Sequence, residues 1–335
     1  MTTIASAFGL SRDRFALPNE RAALDRLEQG LERVEVRLSE VLRFTDPVAD
    51  SVARYLKEAG GKRVRPMLLL LAAQLGEGAT DEVIDAAAVV EITHLASLYH
   101  DDVMDEADVR RGVPSTHTVW GNSIAILAGD LLFSRAASLT APLGEDVAEL
   151  QARTFERLCL GQLYETLGPR DADPVEHYLR VLADKTGSLI AAAAELGIIV
   201  SGADPKYRAP MREFGEAIGV AFQLVDDVID LSSDPSTGKS AGTDVRAGVP
   251  TMPTLLLDGL DDSASVNLRD KLSHGEADGF TDAVAELEQH RVTVETRQVA
   301  LEWQARGLAA LKGLPRGPVR RGLEEFARSV VDRQT

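Results

Sequence analysis

The chain of 335 residues contains one cysteine, Cys159, so neither an intramolecular disulfide nor a cysteine-ligated zinc site is available to it. Aromatic residues make up only 5%, and no alternating apolar–polar pattern persists, which argues against a sheet-based core. No uninterrupted apolar run reaches the ~18 residues of a membrane-spanning helix. The start, MTTIASAFGL, lacks a charged n-region and a long apolar run. No secretory signal is therefore expected, and the cytoplasm is the expected compartment. Positive charge is also scarce: 36 Lys and Arg against 53 Asp and Glu leave a formal net charge of -17. That balance argues against nucleic acid or an anionic membrane surface as partner. It also makes each local cluster of basic residues informative, since an anionic substrate needs one.

What is present is apolar residues at helical spacing. Hydrophobic residues make up 44%, with Ala and Leu abundant, which favours packed helices. Residues 1–18 read as a loose arm and 19–335 as one all-α domain without repeats, low-complexity tracts or a linker. Periodicity and capping signals predict helices over 21–44, from Pro47 to the Gly60-Gly61 stop, over Met67–Leu75 and from Thr80 to Met104. Further helices are expected over Asn122–Thr140, Glu145–Thr166, Pro174–Val200, Met211–Leu231, Thr254–Leu260, Ala264–Leu272, Phe280–Leu311 and Pro318–Val331. Residues 232–253 form a Gly/Pro/Ser/Asp-rich loop whose Thr237-Gly238-Lys239 is no Walker motif, because no strand precedes it. Gly187, in the middle of a predicted helix, fits a kink, a close ligand approach or tight helix packing.

The most telling stretch is Glu91 to Gly112, EITHLASLYHDDVMDEADVRRG. On a helix, Asp101 and Asp105 are offset by roughly 40° and ~6 Å, so both carboxylates share a face. Like charges there repel and call for a cation; hard oxygen donors suit Mg2+. The following Arg110-Arg111 pair suits phosphate oxygens. For one such pentad alone, a solvated acidic helix end is the better explanation, because such runs are common in a chain this acidic. A second copy, AFQLVDDVID, places Asp226, Asp227 and Asp230 in the same DDxxD arrangement at the end of another apolar stretch, and two copies are hard to explain as surface decoration. Upstream, the turn and cations of GGKRVRP can offer free backbone N–H groups and positive charge to an anion, although taken alone the stretch is better explained as an ordinary basic helix cap.

In this order, GGKRVRP, HLASLYHDDVMDEADVRRG, DKTGS, FQLVDDVID and TGKSAGTD resemble the trans-isoprenyl diphosphate synthases, or polyprenyl synthetases, over Gly60 to about Pro253. The resemblance implies an all-α isoprenoid-synthase-type helical bundle in which two aspartate-rich motifs face a central cavity, usually as a homodimer. It implies head-to-tail condensation of isopentenyl diphosphate with an allylic diphosphate, releasing pyrophosphate. Asp101, Asp105 and Asp226 would then be direct Mg2+ ligands, with Asp102 and Asp230 supporting them or binding through water. Arg110, Lys185 and Lys239 would hold the allylic diphosphate. Thr186 and Gln223 would lie beside the carbon that becomes cationic. Lys62, Arg65, His94 and Arg111 would hold isopentenyl diphosphate. One departure is Val249, where many relatives carry a lysine.

Two other readings compete. A terpene cyclase would leave the isopentenyl diphosphate cations unexplained. A non-catalytic subunit of a heteromeric synthase would be expected to lose acidic motifs, and this chain keeps both. By the resemblance, residues four and five before the first aspartate set product length. Here they are the small Ser97 and Ala96, with Ile92 a turn further down. A passage left open there predicts a product of C30 or longer, of the kind used for quinone side chains, with C20 as the alternative. Close helix packing with a floor at Phe133 is the competing explanation for the small residues.

Overall fold

A computed structural model describes residues 10, 15, 17–232, 241–273 and 279–333. Apart from one two-residue ladder, the regular structure among them is helical. The packing groups into two compact units.

The first unit takes in Met1–Phe155, Leu189–Arg212 and Gly313–Glu325. At its centre is the helix Asp81–Met104, which Thr80 starts by accepting a hydrogen bond from the Val83 amide. Buried residues occupy all sides of this helix, from Val83 to Tyr99, so neighbours must cover it completely. Helices Pro18–Val41, Val64–Ala73 and Asn122–Thr140 pack against it. Small residues bring the last of these close: a Cβ on Gly129 would lie 3.2 Å from the Ala96 carbonyl and closer still to the His100 ring. The helix Asn122–Thr140 is long and apolar enough, with its following turn, to cross a membrane by length and composition alone. Part of that hydropathy comes from an exposed stripe of Ile126, Leu127 and Leu131. Past the first acidic motif, Val109–Arg110 pairs antiparallel with Val113–Pro114 around Gly112, and a short helix, Thr116–Trp120, follows.

The second unit takes in Glu156–Ser188, Glu213–Lys312 and Phe326–Thr335. Its core includes Leu182, Val220, Leu224, Val225, Met252 and Ala300 in one cluster. A second cluster joins Leu257, Leu268, Phe280, Val284 and Leu287. Where the sequence reads as one helix over 280–311, the chain breaks at His290, which caps the next helix by accepting from Val292 N. Where it reads as one helix over 174–200, five residues, Ala183–Gly187, widen into a π turn. Such turns insert a residue into the ladder and often mark functional positions. Two contacts hold it: Arg157 bonds Asp184 at 2.7 Å, and Gly161 lets the backbone at Lys185 approach within 2.6 Å of where a Cβ would stand.

Candidate active site

In the first unit, the predicted basic residues converge around a buried arginine that sequence reasoning passed over. Arg63 sits at φ 48°, the left-handed region that non-glycine residues rarely adopt. Its guanidinium is held by Glu35, by Glu91 at 2.9 Å and by the Lys57 and Gly60 carbonyls. Burial opposes the charge of Arg63, but the two carboxylates outweigh it and hold its pKa above the ordinary value. Gly61 is required there: a Cβ would stand 2.5 Å from Arg63 Nη1 and 3.0 Å from Arg111 Nη1.

Around this anchor lie Arg65, His94 and Arg111, with Arg110 close by. Arg111 donates to the Leu56 carbonyl at 2.9 Å and to the Gly60 carbonyl. Burial lowers its pKa, against the pull of Glu91, and Arg63 and Arg110 lower it further. Burial also brings Arg65 down to about 10, helped by Arg111. Arg65 Nε is buried and makes no hydrogen bond among the described residues. His94 is held well below its usual range, first by burial and then by the charges of Arg65, Arg111, Arg110 and Arg63. It is therefore a neutral imidazole among guanidinia. A half-buried cluster of guanidinia with an orphaned N–H on Arg65 is a standing demand for an anion. Lys62 is exposed on the adjoining turn.

The first acidic motif closes the helix Asp81–Met104, where the Asp105 amide bonds the Asp101 carbonyl at 2.8 Å. Asp102 points inward, fully buried, and accepts from Arg110 Nε at 2.6 Å. Burial raises its pKa and the Arg110 charge opposes that. Asp101 is half-buried and Asp105 exposed. Lower on the same helix, Ile92 and Ala96 are fully buried, while half-buried Ser97 bonds the His94 carbonyl. Phe133 lies against His100 and Phe155 instead.

The second motif ends the helix Arg208–Asp230. Its middle residue, Asp227, is again buried, but its partners are neutral: Tyr178 Oη donates at 2.7 Å and Met252 N at 3.0 Å. Burial pushes its pKa up to about 7 against those two hydrogen bonds, and pushes the Tyr178 phenol well above its ordinary value. Asp226 pairs with Arg333 at 3.0 Å, and Asp230 accepts from Asp244 N at 3.1 Å. Lys185 and Thr186 are in the π turn, with Lys185 paired to Glu165. Gln223 lies one turn before Asp227 and is half-buried. Val249 is exposed, and Lys239 lies outside the described residues.

Among the described residues, no three acidic, imidazole or thiol groups converge tightly enough to enclose a metal. The donors still fit a hard divalent ion as part of a shell. Each motif offers carboxylates at its first and last positions and anchors the middle one elsewhere. Mg2+ usually completes such a shell with water and phosphate oxygens.

The comparisons agree with this chemistry. Residues 46–285 match the polyprenyl synthetase family. Nonaprenyl diphosphate synthase of Mycobacterium tuberculosis is 47% identical over 225 residues, covering 66% of this chain and 67% of that protein. Octaprenyl diphosphate synthase of Escherichia coli is 32% identical, covering 90% of this chain and 94% of that one. Among solved structures, geranylgeranyl pyrophosphate synthase of Corynebacterium glutamicum, complexed with calcium and isoprenyl diphosphate, superposes with a TM-score of 0.84 at 41% identity, covering 95% and 98% of the two chains. With that match over most of its length and both acidic motifs at the ends of buried helices, the chain belongs to the polyprenyl synthetase family.

Proposed function

We propose that the chain, through its domain over 19–335, is a Mg2+-dependent trans-polyprenyl diphosphate synthase. It adds isopentenyl diphosphate head-to-tail to an allylic diphosphate and makes a product of C30 or longer, of the kind used for quinone side chains. The observation that carries this reading is the pair of diphosphate-directed features in the first unit: the guanidinia of Arg65 and Arg111 around the neutral His94, and the carboxylate pair Asp101 and Asp105. A terpene cyclase has no second diphosphate for the cluster to hold. Long-chain synthases among the relatives, and the small Ala96 and Ser97, support the product length.

In this reading Lys62, Arg65, His94 and Arg111 bind isopentenyl diphosphate, and Arg110, Lys185 and Lys239 bind the allylic diphosphate. Asp101, Asp105 and Asp226 hold Mg2+, and Asp102 and Asp230 support them. Bound Mg2+ supplies charge stabilisation for the departing pyrophosphate. The allylic C–O bond breaks, leaving a carbocation that Thr186 and Gln223 face with oxygen dipoles in dry surroundings. The isopentenyl double bond attacks that carbon, and the proton then lost passes to the released pyrophosphate. No protein nucleophile is needed. A homodimer is part of the reading, supported by the exposed Ile126, Leu127 and Leu131 and by Phe155, a stripe suited to a second copy.

The test is product analysis. Purified protein alone, with isopentenyl diphosphate, farnesyl diphosphate and Mg2+, should release pyrophosphate and give C30 or longer diphosphates by mass spectrometry. Turnover of the allylic diphosphate without isopentenyl diphosphate would favour a cyclase, and products ending at C20 would select the shorter alternative.

A further inference from the structure

We propose that Arg333 is a resident counter-cation of the second acidic motif: without metal its guanidinium holds the Asp226 carboxylate, and a divalent cation reaches that oxygen by displacing it. The inference rests on the reading of Asp226 as a metal ligand.

Three observations carry it. First, Arg333 Nη1 lies 3.0 Å from Asp226 Oδ1, and the same guanidinium stands 4.6 Å from the centroid of the Phe222 ring. Phe222 and Asp226 are one helical turn apart on one face, so a single side chain covers both. Second, the chain delivers this arginine from a fixed base. The Asp332 amide bonds the Arg328 carbonyl at 2.9 Å, continuing the helical hydrogen bonding of Pro318–Val331 by one residue. Val330 is fully buried and Val331 packs on the cluster containing Val225 and Ala300. Third, there is room for the displaced group. A cavity of about 370 Å³ beside it is lined by Val225, Ile229, Arg297, Leu301, Val331 and Arg333 itself.

The physical consequence is competition. Both partners are half-buried, so solvent only partly screens the pair. A guanidinium and a divalent cation cannot both contact Asp226 without strong mutual repulsion. Metal binding at the second motif therefore includes the work of breaking this pair. Arg333 moves toward the cavity, whose wall mixes apolar side chains with Ser232, Arg297 and the acidic Asp332. Arg333 is a positioning residue here: it acts on Asp226 and touches no substrate.

The test is Mn2+ binding to the full chain without substrate, followed by electron paramagnetic resonance, with circular dichroism confirming the fold of each variant. Arg333→Gln should lower the dissociation constant of a Mn2+ site about threefold or more, while Arg333→Lys stays near wild type. Asp226→Asn should weaken that site, and Arg333→Gln should add nothing in the Asp226→Asn background. If Arg333→Gln leaves Mn2+ binding unchanged or weaker while Asp226→Asn weakens it, the inference falls and the metal-ligand reading stands. If Asp226→Asn binds Mn2+ as wild type does, both fall.

Discussion

In the first acidic motif the buried middle carboxylate, Asp102, lies against the Arg110 guanidinium; in the second, Asp227 accepts from a phenol and a backbone amide. The two pentads have the same DDxxD spacing, and in both the second aspartate turns inward. What the repeat preserves is geometry. An inward middle residue anchors the helix end, and the first and last positions lie outside that anchor. What differs is electrostatics. The Arg110 charge opposes the rise that burial imposes on Asp102, whereas Asp227 has no such cation among the described residues and burial brings it to about 7.

The largest expected effect comes from the outer residues that both motifs share. Asp101→Asn and Asp226→Asn should each lower turnover by at least about 10²-fold at saturating Mg2+, with little change in fold. Near-normal turnover in either variant would break the equivalence of the motifs. Below the first motif, a phenylalanine at Ser97 or Ala96 should shorten the product while the first condensation survives, as mass spectrometry would read. Ala96→Phe should also cost about 1–3 kcal/mol in stability, because Ala96 is fully buried. An unshortened product from both variants would remove product length from this helix.

Next come the cations of each unit. Lys62→Ala should raise KM for isopentenyl diphosphate about tenfold and Lys185→Ala that for the allylic partner, each being one charge-assisted contact. The reverse pattern in steady-state kinetics would exchange the two assignments. A direct measure of the contrast between middle residues is thermal stability at pH 7.5. Asp102→Asn removes a charge-assisted bond and should cost roughly 1.5–3 kcal/mol. Asp227→Asn keeps an acceptor for neutral donors and should cost under about 1 kcal/mol. Equal losses would mean that the partner's charge is unimportant.

The smallest effect is a pH dependence confined to the arginine cluster. The pKa of His94 is held well below 6.5 in the folded chain, so as pH falls below 6.5 the unfolded chain binds a proton that the folded one refuses. Stability contributed by neutral His94 is thus full above that pH and lost below it, by up to about 1.4 kcal/mol per pH unit until the folded value is reached. Denaturant titrations from pH 7 to 5 should show wild type losing stability relative to His94→Gln with this slope, the opposing protonation of Asp227 being common to both. Parallel slopes would place His94 outside the field of the arginines.

Much of this was legible in the chain. Thr80 as a cap, Asn122–Thr140 and Pro318–Val331 appear where capping residues and apolar spacing put them, because those signals act within a few residues. The ladder at 109–114 was not, since two-residue strands fall below any periodicity. Nor was the role of Arg63. Its neighbours Lys62 and Arg65 carry the same type of charge, and only the pairing with Glu35 and Glu91, each 28 residues away, separates an anchor from a ligand-binding cation. The same applies to Arg333 and Asp226, 107 residues apart. Local patterns specify helices; they do not say which charges meet.

Arg63 also bears on affinity. Its strained backbone, its two carboxylate partners and the glycine that makes room for it are settled when the chain folds. The guanidinia beside it are therefore crowded and partly dehydrated before any ligand arrives. On the proposed reading, a diphosphate entering there would meet donors already held in place and would relieve their repulsion, so little of its binding energy would go into ordering the protein. Loosening the anchor, by Glu35→Gln for instance, should show up first as faster ligand dissociation, long before the fold itself gives way.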